Sequence, residues 1–397
     1  MPTEFATGFI ENSENSFEAG KIVAQRALAK FSRVEKPQIA LLFCASKYNY
    51  QEVIQGIHSL VGEIPLIGCS TAGQFSEDGV TKEGIVCVLI YSTTHLFFPG
   101  IGTNLKSAPL AAVKQATKRL PKEIKDYPYH AAILFVDGLA GQGEEAVLAA
   151  VSLLGPMVKM AGGAAADDLS FKETVVFGNK QVLQDAISLC LVTSQSPIVI
   201  SVKHGHHPIS NPLKVTRASE NILYELEGRP ALEVWKDCLR EPLRGQGIDI
   251  DRLSANELSQ WLLKYEIGLS TGEDYKIRFP ASCNADGSFN CACSILEGSV
   301  VRIMTSDQED QIESARQAVE AALAAARQVP LAGAIVFDCA CRAMILKERF
   351  AVAIEYSKEL VGNLPFIGGE LYGEIAAEMG QLSGFHNTTT VIMLFPA

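Results

Sequence analysis

The chain has 397 residues, 48% hydrophobic and 20% charged, with a formal net charge of -11. That length exceeds a single typical domain and supports a large core, and no stretch is polar enough to read as disordered. The acidic balance, without a Lys/Arg run, argues against sequence-independent binding to nucleic acid or to an anionic membrane. Met1 to Glu14 has neither a basic nor an apolar signal-peptide region. No apolar window is long enough for a membrane span. The 10 cysteines, without a signal peptide, point to reduced thiols and a cytoplasmic protein. Cys44, Cys87 and Cys190 lie in apolar strand-like runs, where a thiol acts as a small core hydrophobe.

Taken in chain order, the sequence contains a repeated layout. The first copy runs from Ile39 to Phe43, through a helical stretch, to Pro65-Leu-Ile-Gly68, with a β-rich run from Gly84 to Tyr91. The second runs from Ala132 to Phe135, through Glu144 to Leu154, to Gly162-Gly163, followed by Thr174 to Gly178 and Ala186 to Val192. The middle of the chain differs. Pro230 opens a helix running to about Cys238, Leu243 to Glu257 reads as a linker or excursion, and Tyr275 to Ala281, Ser288 to Leu296 and Val300 to Thr305 read as a three-strand meander. Asp307 then caps a helix from Gln308 to Gln328. The third copy runs from Ala334 to Phe337, through Phe350 to Leu360, to Pro365-Phe-Ile-Gly368-Gly369, and ends on Thr388 to Phe395.

Each short apolar run reads as a strand buried on both faces, and a connection this long between two of them makes a parallel crossover. The following β-rich runs add antiparallel strands. The fold class is therefore α/β, with mixed sheets from repeated strand–helix–strand units plus hairpins, stacked in an α-β-β-α arrangement; a doubly wound sheet is the alternative. The main boundary falls near Ser194 to Pro197, dividing the chain into 1–196 and 197–397.

The sharpest candidate features are the segments ending each copy: Gly68-Cys69-Ser70-Thr71-Ala-Gly73, Gly162-Gly163 through Asp167 and Asp168, and Gly368-Gly369-Glu370-Leu-Tyr372-Gly373. Glycine removes the Cβ that keeps a ligand from the backbone, so these N–H groups are candidate ligand contacts; close packing of a strand is the competing reading. None matches a Walker or dinucleotide loop, because each leads into a β region rather than a helix. Asp338-Cys339-Ala-Cys341-Arg342 follows the strand of the third copy, where α/β folds present ligand groups, with a structural ion pair as the alternative. Arg342 with glycine N–H groups suits a ligand carboxylate; Asp137, Asp167 or Glu370 suits an amine. Cys339/Cys341 and Cys291/Cys293 are spaced too closely for a zinc knuckle. His204, His206 and His207 read as an exposed turn, with a metal site as the alternative. No metal or cofactor is expected.

At these segments the sequence resembles the FIST family. The resemblance lies in Pro65 to Gly73, Gly162 to Asp168 with Phe171 and Thr174, Glu227-Gly-Arg-Pro-Ala231, Phe337 to Arg342, Glu355, Pro365 to Gly369, and Tyr372-Gly-Glu374, in order over nearly the whole chain. Cys341 departs from the family pattern, which usually has Gly there. The resemblance implies N- and C-terminal FIST regions, here 1–196 and 197–397, and a sensory protein binding small molecules such as amino acids. It also implies outputs such as histidine kinases, diguanylate cyclases or chemotaxis receptors, or an F-box in eukaryotes. This chain has no room for such a module, so the output is expected to be a separate protein.

Two function classes follow. The leading one is a non-enzymatic small-ligand sensor. The alternative is a cysteine-dependent acyl or amide hydrolase or transferase using Cys69 or Cys339, which would need a base within reach of the thiol.

Overall fold

The computed structural model describes residues 2–32, 35–121, 124–272, 274–378 and 384–397. Three six-stranded mixed sheets share one plan. At the centre of each lies a parallel pair: Ile39–Ala45 with Leu66–Thr71, Tyr129–Val136 with Lys159–Ala164, and Leu331–Cys339 with Phe366–Leu371. Antiparallel strands Ile85–Ser92, Ala186–Ser194 and Thr390–Pro396 flank the first member of each pair, as the β-rich runs predict. Outside them lie the edge strands Thr3–Ile10, His95–Thr103 and Val199–Lys203.

The last two strands of every sheet come from another copy. The hairpin Gln74–Ser76/Gly79–Thr81 of the first copy pairs with the third copy's Phe366–Leu371. Val176–Gly178/Gln181–Leu183 of the second pairs with the first copy's Leu66–Thr71. Glu374–Ala377/Phe385–His386 of the third pairs with the second copy's Lys159–Ala164. The exchange is cyclic, so no copy completes its sheet alone.

Alternation along the strands divides each sheet between two cores. Leu41, Phe43, Ile133, Phe135, Ile335 and Phe337 face a common interior, while Ala40, Leu42, Ala132, Leu134, Ala334 and Val336 face the helices. Three sheets, not two, thus share the inner core, each with helices on its outer side. Phe43, Phe135 and Phe337 hold matching register positions and pack on one another, with ring centroids 5.7, 5.9 and 6.3 Å apart. Several helices start where the sequence offers a side-chain cap. Asn15 and Asn49 accept from the backbone three residues on, and Asp307 forms a capping box with Asp310 at the head of Gln308–Ala326.

Between the edge strand Val199–Lys203 and the Gln308–Ala326 helix, the third copy carries a lobe with its own nine-stranded antiparallel sheet and a core around Trp235. The expected meander is not formed. Pro280–Cys283 and Phe289–Cys291 make a hairpin, but Val300–Thr305 lies between Leu213–Ser219 and Ile267–Ser270. The helix after Pro230 runs on to Arg244, and the expected linker holds the start of the Ala255–Lys264 helix. Among the described residues no helix is long and apolar enough to cross a membrane.

Candidate functional site

The fold brings the three glycine-rich segments together, and the contact is made by backbone. Ala72 N–H donates to Glu370 O, Ala166 N–H to Ser70 O, and Tyr372 N–H to Ala164 O, at 2.9, 2.9 and 3.0 Å. These are matching positions in the three copies, so the bonds close a ring around a pseudo-threefold axis. The glycines fit this packing. A Cβ on Gly68 would lie 1.9 Å from Leu42 O, and one on Gly162 would lie 1.8 Å from Leu134 O, with φ at +145° and +151°. Gly163 packs on Leu371, Gly368 on the Phe75 ring, and Gly369 on Thr71 and Phe43. The competing packing reading therefore describes these glycines, and their N–H groups face neighbouring strands.

The polar candidates are likewise engaged. Ser70 brackets Val175, and Thr71 donates to Gln74 Oε1 at 2.6 Å. Asp137 accepts from Leu139 N–H, from Asp185 N–H and from the Thr174 hydroxyl. Arg342 is fully buried. Its guanidinium donates to Asp338 Oδ1 at 2.9 Å, Gln311 Oε1 at 2.6 Å, Ser314 Oγ at 2.8 Å and Gln311 O at 3.0 Å. These bonds give it the arrangement that the ion-pair alternative supposes. Glu370 is buried beside Lys82, and Gly73 leaves room for its carboxylate. Burial pushes its carboxyl up to about 7, against the pull of Lys82.

Three consecutive threonines hold three buried acids. Thr388 donates to Glu266, Thr389 to Glu374 and Thr390 to Asp338. This run joins the lobe, the hairpin lent to the second sheet and the third sheet. Burial pushes Glu266 up to about 8, against Thr388, and raises Glu374 well above the usual range. Of the histidine cluster, His206 is buried against Ser306 and Glu266, contrary to the expected exposed turn. Among the described residues no group of His, Cys, Asp and Glu could hold a metal ion.

The cavity lies past the strand ends. A space of about 910 Å³ separates the second and third copies from the lobe. Gly138, Leu139, Leu169 and Phe171 of the second copy and Ala340, Cys341, Met344, Ile345, Leu371 and Tyr372 of the third line one side. Ser259, Gln260, Leu263 and Lys264 of the lobe helix, together with Phe279, Ala281 and Ala292, line the other. Ser306, Asp307, Gln308 and Lys347 complete it. Among the predicted site residues, Tyr372 alone lines this cavity.

Asp167 acts through Tyr372 and the loop it nucleates. The Tyr372 hydroxyl donates to Asp167 Oδ1 at 2.5 Å, and Asp167 also accepts from Ser170 Oγ and from the N–H groups of Phe171, Lys172 and Glu173. Burial pushes this carboxyl up, but the bonds from Ser170, Tyr372, Glu173 and Lys172 outweigh it and bring it down to about 2.

Neither suspected nucleophile meets the cavity. Cys69 and Cys339 are buried, and burial raises both thiols well above their ordinary value. The residues missed from the sequence are the apolar tips. Leu139, Leu169, Phe171 and Met344 are 37%, 40%, 63% and 41% exposed, an unusual concentration of large hydrophobics around one hollow. Their signal was present: Leu169 and Phe171 interrupt an otherwise polar loop.

Comparison with known proteins gives consistent family matches. The FIST N domain model matches residues 38–229 and the FIST C domain model residues 231–377. An uncharacterized protein of Methanocaldococcus jannaschii is 24% identical over 287 residues, 69% of this chain and 55% of that protein. An uncharacterized protein of Mycobacterium tuberculosis is 27% identical over 246 residues, 60% of this chain and 61% of that protein. The chain thus spans little more than half the length of these relatives. Among solved structures, a cyanuric acid hydrolase from A. caulinodans aligns over 99% of both chains at a TM-score of 0.36 and 8% identity. A second cyanuric acid hydrolase structure aligns over 100% of both at 0.34 and 9%. Scores this low carry no argument for this chain.

Proposed function

The chain belongs to the family of FIST N and FIST C domain proteins, and on that premise we propose that it is a sensory protein binding a small, largely apolar molecule between its repeats and its antiparallel lobe. The observation that carries this reading is the 910 Å³ cavity into which Leu139, Phe171, Met344 and Leu263 project. Its volume is within the range of small-molecule sites, and it lies beyond the carboxyl ends of parallel strands, where α/β folds commonly bind ligands. An amino acid or derivative with a bulky apolar side chain meets these terms. The carboxylate receptor is then Lys264 or Lys347 rather than Arg342, which is fully buried, bonded to Asp338, Gln311 and Ser314, and absent from the cavity lining.

Occupancy is read out by a separate protein, a histidine kinase or diguanylate cyclase being the outputs the family suggests. The lobe is the natural moving part, because the ligand would bridge it to the repeats. A hydrolase using Cys69 or Cys339 has no support from the geometry, since neither thiol lines the cavity. The test is a thermal-shift screen against amino acids and small organic acids. A binder at 100 times its dissociation constant should add about 2.7 kcal/mol. No shift across the panel would contradict the reading.

A further inference from the structure

Resting on that reading, we propose that the cavity selects a planar aromatic anion, whose ring stacks on Phe171 and whose acidic group meets Lys264 or Lys347. The starting point is an asymmetry among the copies. After the ring of backbone bonds, the first chain segment passes from Gly73 directly into the strand Gln74–Ser76, and the third from Gly373 into Glu374–Ala377. The second does not. Between Asp167 and its strand Val176–Gly178 it makes an excursion through Leu169 and Phe171.

That excursion holds an unfavourable conformation. Leu169 and Phe171 both have positive φ, 60° and 51°, a region bulky side chains avoid. Asp167 keeps them there by accepting from three backbone N–H groups of the loop. The result is an aromatic platform. The Phe171 ring lies parallel to Tyr372, with centroids 4.7 Å apart and planes 13° apart, and the Tyr372 hydroxyl is fixed on Asp167. One face of Phe171 is covered by Tyr372. The side chain is nevertheless 63% exposed and lines the cavity. An outward ring face fixed in orientation suits an offset-stacked aromatic ligand.

The charge of the lining is opposite to that of the chain. Lys264 and Lys347 line the cavity; the Lys264 ammonium rests over the Trp261 and Tyr265 rings, 5.4 and 5.6 Å from their centroids, a contact that leaves its charge without a carboxylate among the described ion pairs. Its one acidic lining residue, Asp307, is occupied in capping its helix. A ligand with an anionic group is therefore complementary to the cavity although the protein's net charge is -11.

The experiment is calorimetric titration of the whole chain with a matched pair, 2-naphthoate and its saturated analogue decalin-2-carboxylate. They share the carboxylate and similar apolar bulk but differ in planarity and π face. The expected result is about five- to tenfold tighter binding of 2-naphthoate. Phe171→Leu, which retains an apolar side chain at an exposed position, should abolish that preference while the chain stays folded, with only the small loss in melting temperature that one stacked pair accounts for. Lys264→Gln or Lys347→Gln should weaken both acids alike. Equal affinity for the pair, or a preference surviving Phe171→Leu, would overturn the aromatic assignment while leaving ligand binding intact. Binding of neither acid up to about 1 mM would overturn it too; the metabolite screen then judges the ligand-binding reading separately.

Discussion

Gly68 and Gly162 each sit against a carbonyl of the neighbouring strand, whereas Leu139, Phe171 and Met344, near the corresponding strand ends, face a hollow. The two sets share one end of the molecule and use it differently. At the first, absent side chains let three backbones close into a ring. At the second, large side chains are left facing solvent. Features that suggest ligand binding in a sequence, glycine and a buried arginine, belong to the first set. Loop hydrophobics, which in isolation suggest nothing, belong to the second. The axis supplies rigidity, and on the proposed reading the tips beyond it supply contact.

The largest expected effect breaks the axis. Gly162→Val would place a Cβ 1.8 Å from Leu134 O. It should destabilise the fold by more than about 4 kcal/mol or prevent its recovery, as read by denaturant unfolding. A stable variant would mean the backbones need not approach. Arg342→Met tests the same side of the comparison one step out. Leaving Asp338 buried without its partner should cost about 3–5 kcal/mol, while the folded fraction binds ligand within a factor of about two of the parent. A large loss of affinity at unchanged stability would restore Arg342 as a receptor.

Acidity should separate the two regions as well. Glu370 and Glu266 are raised in the fold to about 7 and about 8, from an ordinary value of 4.5. Their contribution is fully present below the ordinary value and is lost as pH rises through the folded values. For Glu370 alone this amounts to about 3 kcal/mol at most. Asp167 is lowered to about 2 from 3.8, so its contribution is present above the ordinary value and is lost as pH falls towards 2. Buried His95 and His386, held at about 4 and about 3, and His206, held well below its ordinary value of 6.5, contribute in the opposite sense up to about pH 6.5, so melting temperature should decline between about pH 6.5 and 8. Glu370→Gln should flatten the lower part of that decline, and Asp167→Asn should leave it unchanged. An unaltered slope in Glu370→Gln would contradict the assignment.

The smallest effect on stability should come from the tips. Met344→Glu, at a 41% exposed position, should change stability by no more than about 0.5 kcal/mol. By calorimetry it should weaken binding of an anionic ligand at least about tenfold.

Much of the architecture was legible. Runs such as Ile39 to Phe43 and Ala334 to Phe337 declared the parallel pairs because strands buried on both faces are continuously apolar, and Asp307 declared its helix by capping chemistry. The hairpin exchange was not legible. Gln74–Ser76 pairs with a strand almost three hundred residues away, and no local pattern names a partner at that separation. The surroundings of the candidate site were hidden for a related reason. Arg342 looks available beside Cys341, but its partners Gln311 and Ser314 lie on a helix of distant sequence. The cavity needs a wall from Ser259 to Ala292 that belongs to no repeat. The Thr388-Thr389-Thr390 run looked like the start of a strand, and only the fold brings an acid to each hydroxyl.

The most direct test of the division between axis and tips is alkylation mapped by mass spectrometry on the native chain. Cys341 lines the cavity and is partly exposed, whereas Cys69 and Cys339 are buried in the strand ends. Iodoacetamide should modify Cys341 and spare the other two, and 2-naphthoate at saturation should protect Cys341. Modification of Cys69 that the same ligand suppresses, with Cys341 indifferent to it, would put the ligand at the glycine-rich axis and contradict the account.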